Sequence, residues 1–140
     1  MTRRLVVSQR LEKVHESMLA LDTIFRYRDP IGGVTAHCRV RIYKTTRKNV
    51  VILSEARNNP GMSVTSAIVA ITTAVVRQYK LDTARTTWIE HTPGEAGGAN
   101  ASYDLIQLAW DGGQFTADPE SRPMTRKQVE RLIGESLPED

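Results

Sequence analysis

The sequence predicts an α+β fold: an antiparallel sheet of four or five strands with helices packed mainly on one face, in the order α-β-β-α-β-β-(β)-α. Three observations carry this reading. The stretch Val34–Lys44, VTAHCRVRIYK, alternates apolar with polar residues at period two, as a half-buried strand does. Val64, Ala67, Ile68, Ile71, Ala74 and Val75 recur at helical spacing, with Thr72, Arg77 and Lys80 opposite. Short β-branched runs bounded by Gly, Pro and Asn clusters fill most of what lies between.

In chain order, Leu11, Val14, Met18, Leu21 and Phe25 form an apolar stripe on an expected helix from about Ser8 to Ile24. Asp29-Pro30-Ile31-Gly32-Gly33 breaks the chain before the alternating strand. Thr45–Lys48 separates that strand from Asn49–Glu55, NVVILSE, so the two are expected as an antiparallel hairpin. Arg57–Gly61 is dense in turn formers, and Ser63 suits the N-cap of the next helix. That helix is rich in Thr and Val, poor helix formers, so burial must stabilise it; it is expected to be the central core helix. Thr86–Thr92 and Tyr103–Asp111 are further strands joined by a flexible loop, about residues 93–102. Asp111-Gly112-Gly113 turns into a short strand at Gln114–Thr116. Thr125 and Gln128 form a capping-box pattern ahead of Val129, Leu132 and Ile133, the stripe of a last helix. Leu137 to Asp140 is expected to fray.

The 140 residues suit one globular domain, 1–140, large enough to bury a core without disulfides. The apolar segment Val64–Val76 is too short and too interrupted by Ser and Thr for a bilayer span, and MTRRLVVSQRLEKV lacks the apolar core of a secretory signal. A cytoplasmic protein without a membrane segment is the expectation. Cys38, the one cysteine, agrees with a reducing compartment.

Charge is unevenly spread. Between Arg26 and Lys48 stand seven basic residues and one acid, a local +6 in a chain whose total is +3, which leaves −3 for the rest. A confined basic segment suggests an anionic partner. The competing reading is a solvated strand face using arginine for solubility. The candidate binding residues are His37, Arg39, Arg41 and Tyr43 on the polar side of the strand, Lys44, Arg47 and Lys48 at the adjoining turn, and Trp88. If the face of Trp88 is the open one, it makes with Arg39 and Arg41 an aromatic and basic platform for stacking a base. The alternative places Trp88 under a helix, as Trp110, alternating with Ile106 and Leu108, is expected to anchor the core.

The parts of a nucleophilic site, Cys38 with His37, His91 and Glu90, are present but poorly disposed. Residues 37 and 38 point to opposite faces of a strand, and Cys38 lies on the apolar one, where it reads as a small buried hydrophobe. No catalytic residue is assigned. His15, His37, His91 and Cys38 have no metal-ligand spacing, and the glycines at 94, 97, 98, 112 and 113 do not lead from strand to helix, so no metal, cofactor or phosphate loop is expected. The resulting expectation is a small non-enzymatic protein whose basic hairpin face engages nucleic acid. The alternative is a regulatory or inhibitor protein that binds an acidic protein surface, since guanidinium pairs with carboxylate as with phosphate. A third reading is a small enzyme centred on His91 and Glu90. A homodimer formed through an open second sheet face is also considered.

Overall fold

The computed structural model describes residues 17–28, 35–54, 64–94, 101–115 and 120–138. A six-stranded sheet runs in the order β1 (Leu19–Arg28), β2 (Thr35–Lys44), β3 (Asn49–Ser54), β4 (Thr86–Thr92), β5 (Ser102–Gln107) and β8 (Glu120–Met124). β6 (Trp110–Asp111) and β7 (Gln114–Phe115) form a separate two-stranded ribbon. All neighbours in the sheet are antiparallel except β3 and β4. A parallel pair needs a crossover, and helix α1 (Val64–Tyr79) lies within it. Helix α2 (Arg126–Ile133) follows the last strand.

The α+β class and the largely antiparallel sheet agree with the sequence reading; strand count and order differ. The expected helix to Ile24 is wrong over Leu19–Ile24, which belong to β1; residues 8–16 lie outside the described ones. Leu21 and Phe25 satisfy a four-residue spacing and a two-residue spacing equally, and pairing with β2 decides in favour of the strand. The register slips between Leu19 and Leu21, so Leu19 stands opposite Tyr43 and Leu21 opposite Ile42. That irregularity turns the two leucines to opposite faces, and each packs into a different apolar cluster. β8, ESRPM, carries no alternating apolar signal; it is an edge strand, where Pro123 is tolerated.

Helices cover both faces of the sheet, not mainly one. On the first face Cys38, Val40, Ile42, Val51, Leu53, Trp88 and Ile106 pack with Ile68, Ile71, Val75 and Val76 of α1. On the second, Tyr43, Val50, Ile52, Ile89 and Tyr103 pack with Val129 and Ile133 of α2, and with Leu137. β3, apolar at every position from Val50 to Leu53, is buried on both sides as such a run demands.

Local chemistry explains how the helices sit. Thr72, fully buried in α1, returns its hydroxyl to the Ile68 carbonyl at 2.7 Å, which satisfies a polar group inside the core. α1 ends with Lys80 in the left-handed region, φ 52°, and the Leu81 amide donates back to Val76. α2 begins at the expected capping box: Thr125 Oγ1 accepts from the Gln128 amide at 3.1 Å, and Gln128 Oε1 accepts from the Thr125 amide at 2.9 Å. It stops at Gly134, φ 78°. Leu137, placed by sequence in a frayed end, is instead buried: its amide donates to Glu130, and its carbonyl accepts from Arg126. The ribbon turns through Gly112 and Gly113, both at positive φ, which a two-residue hairpin of this hand requires. It lays Phe115 edge-on against both Trp88 and Trp110, with ring centroids 5.3 and 4.9 Å apart. Ser63 and most of the 93–102 loop lie outside the described residues. Among the described residues no helix is long and apolar enough to cross a membrane.

Candidate functional site

The polar side of β2 splits into residues that meet solvent and residues that do not. His37 is exposed. Arg39 is held by Asp22 of β1, its Nε and a terminal nitrogen donating to the two carboxylate oxygens at 2.9 and 2.8 Å. This fork holds the Asp22 carboxyl below its ordinary range, against a smaller opposing push from burial. Arg41 and Tyr43 are each 2% exposed. The expected single exposed face from His37 to Tyr43 therefore does not form. Alternation marks two faces of different polarity; it does not say that the polar one faces water, and here the second face carries the α2 cluster.

Arg41 enters a buried polar row. A terminal nitrogen donates to Ser54 Oγ at 3.3 Å, and Ser54 Oγ lies 3.0 Å from His91 Nδ1. The His91 ring stacks on Tyr103, with centroids 4.7 Å apart and planes 20° from parallel. Arg41 Nε has no hydrogen-bond partner in the structure. Burial pushes the Tyr43 hydroxyl above its ordinary pKa, while the Arg41 guanidinium beside it pulls the other way.

A hydroxyl against an imidazole has the composition of a nucleophilic pair, but Ser54 and His91 are 4% and 3% exposed, and the Arg41 cation donates to the same oxygen. Glu90 lies on the opposite face of β4 from His91, directly across from Asp104 of β5, and is itself buried. The pair at the centre of the enzymatic reading is thus separated by the sheet. Cys38 is buried in the α1 cluster. Among the described residues no three His, Cys, Asp or Glu side chains gather closely enough to hold a metal ion.

Trp88 is 3% exposed, in the α1 cluster under Phe115. Arg39 and Arg41 point to the other face, so the aromatic and basic platform does not assemble.

The turn keeps its cations outward. Thr45 organises it: its amide and hydroxyl both donate to the Lys48 carbonyl, at 3.0 and 2.9 Å, and its hydroxyl oxygen accepts from the Lys48 amide at 3.2 Å. With the backbone bonded to itself, Lys44 and Arg47 are exposed and Lys48 is half-buried. Two neighbours extend this patch. Arg85, in the 3₁₀ turn Thr83–Arg85 that leads into β4, donates to the Arg47 carbonyl at 3.1 Å. Lys48 then lines a groove of about 640 Å³ between α2 and the sheet, together with Arg122 of β8 and Arg131 of α2. Its apolar lining comes from Leu105, Pro123, Met124 and Leu132, and its neutral polar lining from Thr87 and Gln128. Among the described residues no acidic side chain lines it. The carboxylates of α2 and its end are engaged elsewhere: Glu130 accepts from the Leu137 amide and lies 3.6 Å from Arg126, and Glu135 accepts from Ser17 and Met18.

Arg85, Arg122 and Arg131 escape sequence reasoning because they stand in separate segments of mixed charge. Their common feature is position, supplied by the parallel β3–β4 pairing, which brings the start of β4 beside the turn, and by β8 closing the far edge. One sequence signal was available: α2 carries Arg126, Lys127 and Arg131 among its eight residues. No protein-family model, curated protein or solved structure matches this chain.

Proposed function

We propose that this protein binds nucleic acid through the basic end of its sheet, with Lys44, Arg47, Lys48 and Arg85 on the rim and Lys48, Arg122 and Arg131 in the groove. The observation that carries the reading is the groove itself. Three cations from three different parts of the chain line one concavity that, among the described residues, no carboxylate enters. Phosphate is the ligand such a site favours: cations on opposing walls engage successive charges of a backbone, and each contact releases condensed counterions. The apolar floor of Leu105 and Leu132 accepts a sugar or the face of an unstacked base, which suits a single strand better than the rigid wall of a duplex. Arg39, paired with Asp22 at the surface, and Arg41, buried beside Ser54, have a supporting role in the fold.

The second reading, an acidic protein surface, draws on the same arginines. Titration of fluorescent mixed-sequence single-stranded and duplex oligonucleotides at several salt concentrations separates the two. The nucleic-acid reading expects the log of affinity to fall linearly with log salt, and expects Arg122→Glu with Arg131→Glu to weaken binding and flatten that slope. Absence of binding at low salt, or an unchanged slope in the double variant, removes it. The acidic-protein reading then stands if those substitutions abolish co-purification of a nuclease-resistant partner.

A further inference from the structure

β1 ends the sheet: among the described residues it pairs with β2 on one side and with no strand on the other. Such an edge offers a row of backbone donors and acceptors to another chain, and proteins ordinarily blunt it with charged side chains, proline, bulges or a covering segment; the charges of β1 are arranged to complement a second copy. β1 has no proline, and its one irregularity is confined to its first residues, between Leu19 and Leu21. On its second face it presents Asp22, Ile24 and Arg26, all exposed, and Ile24 at 56% is the most exposed large hydrophobic side chain described.

These three residues are self-complementary. We propose that two copies of this chain pair antiparallel through β1, about a two-fold axis at Ile24. In that register Ile24 meets Ile24 of the second copy, and Asp22 of each faces Arg26 of the other. Directly opposed residues share a face in an antiparallel pair, so the three contacts form together on one side of a continuous sheet. A two-residue slip in either direction sets Ile24 against Asp22 or Arg26 and loses the symmetric set. Asp22 is available for this although Arg39 already grips it, because a carboxylate has about four acceptor sites and the fork occupies two. The symmetry is isologous, the arrangement a closed dimer requires. Affinity comes from the backbone ladder and the burial of Ile24, while the charges select the register. This inference is independent of the nucleic-acid reading.

Sedimentation equilibrium of the full chain tests it. The wild-type mass is expected to rise with concentration from 15.7 kDa towards twice that value. Arg26→Asp sets Asp against Asp at both ends of the pair, and Asp22→Arg sets Arg against Arg. Each alone is expected to weaken association about tenfold or more. Mixed in equal amounts, the two variants form complementary pairs at both ends and are expected to associate again. Ile24→Lys, at an exposed position that cannot unfold the core, is expected to weaken association as well. A wild-type mass that stays at 15.7 kDa, single variants that associate like wild type, or folded variants that fail to associate when mixed would each overturn the proposal.

Discussion

The two faces of the sheet are built from the same strands and each is covered by a helix, yet they are held by different physics. Under α1 the contacts are mainly aliphatic and aromatic, Ile71, Val75, Leu53 and the Trp88–Phe115–Trp110 set, with one buried carboxylate, Glu90, on the same side of β4 as Trp88. Under α2 the apolar cluster of Tyr43, Ile52 and Ile89 adjoins a buried row of Arg41, Ser54 and His91. An apolar face gains from burial without conditions. A polar one is neutral at best until each group finds a partner, and Arg41 Nε has none in the structure. The first face, with the larger apolar cluster, should therefore act as the store of stability, and the second should depend more on the fit of a few hydrogen bonds.

The largest expected effect lies on the first face. Trp88→Ala removes the side chain that receives Phe115 and should cost about 3–5 kcal/mol, read as a lowered urea midpoint. A loss below about 1 kcal/mol would mean that the ribbon collapses into the gap and that the face is less rigidly packed than its geometry implies.

Arg41 sharpens the contrast. Arg41→Ala should cost about 2–5 kcal/mol through lost packing, the range of large-to-small core changes. Arg41→Met keeps most of the volume and removes a buried charge, so it should lie within about 1 kcal/mol of wild type or above it. If methionine costs as much as alanine, the guanidinium itself holds the row together, and the second face is as firmly built as the first.

Tyr43→Phe is the smallest of the three, about 1 kcal/mol near neutral pH, because it removes one hydroxyl and leaves the buried ring in place. Its signature is the alkaline limb. The folded hydroxyl has its pKa raised, so the stability it contributes is complete below the unfolded value near 10 and is lost as pH rises beyond it. A phenyl ring cannot titrate, so the alkaline loss of stability in the variant should be shallower; equal slopes in urea titrations from about pH 9 to 11, around the ordinary tyrosine value, would contradict the assignment. Asp22 works at the other end. Its folded pKa is lowered, so its contribution is present above the unfolded carboxylate value near 3.9 and disappears as pH falls through the folded one. That contribution is small, because both partners are more than a third exposed.

Much of this was legible in the sequence where the signal is local. The β2–β3 hairpin, the core helix and the Thr125–Gln128 cap follow from period, turn residues and spacing, all of which depend on near neighbours. β1 was misread because Leu21 and Phe25 satisfy both a helical and a strand period, and β8 was missed because ESRPM has neither. The burial of Arg41 and Tyr43 had an indirect trace: Val50–Leu53 is apolar on both faces, and Val40–Tyr43, paired with it residue for residue, is covered on both as well. Arg122 left no such trace, and Arg131 left only the basic composition of α2.

Covalent order and backbone geometry were enough to settle which residues alternate, where the last helix starts, and that positive charge gathers near one turn. They could not settle which part of that charge is already paired or buried and which part is left facing outward. Strand pairing across residues far apart in the chain places Arg39 against Asp22, sinks Arg41 beside Ser54, and carries Arg122 and Arg131 to Lys48. A cation's role follows from its neighbours, and those neighbours are chosen by the sheet.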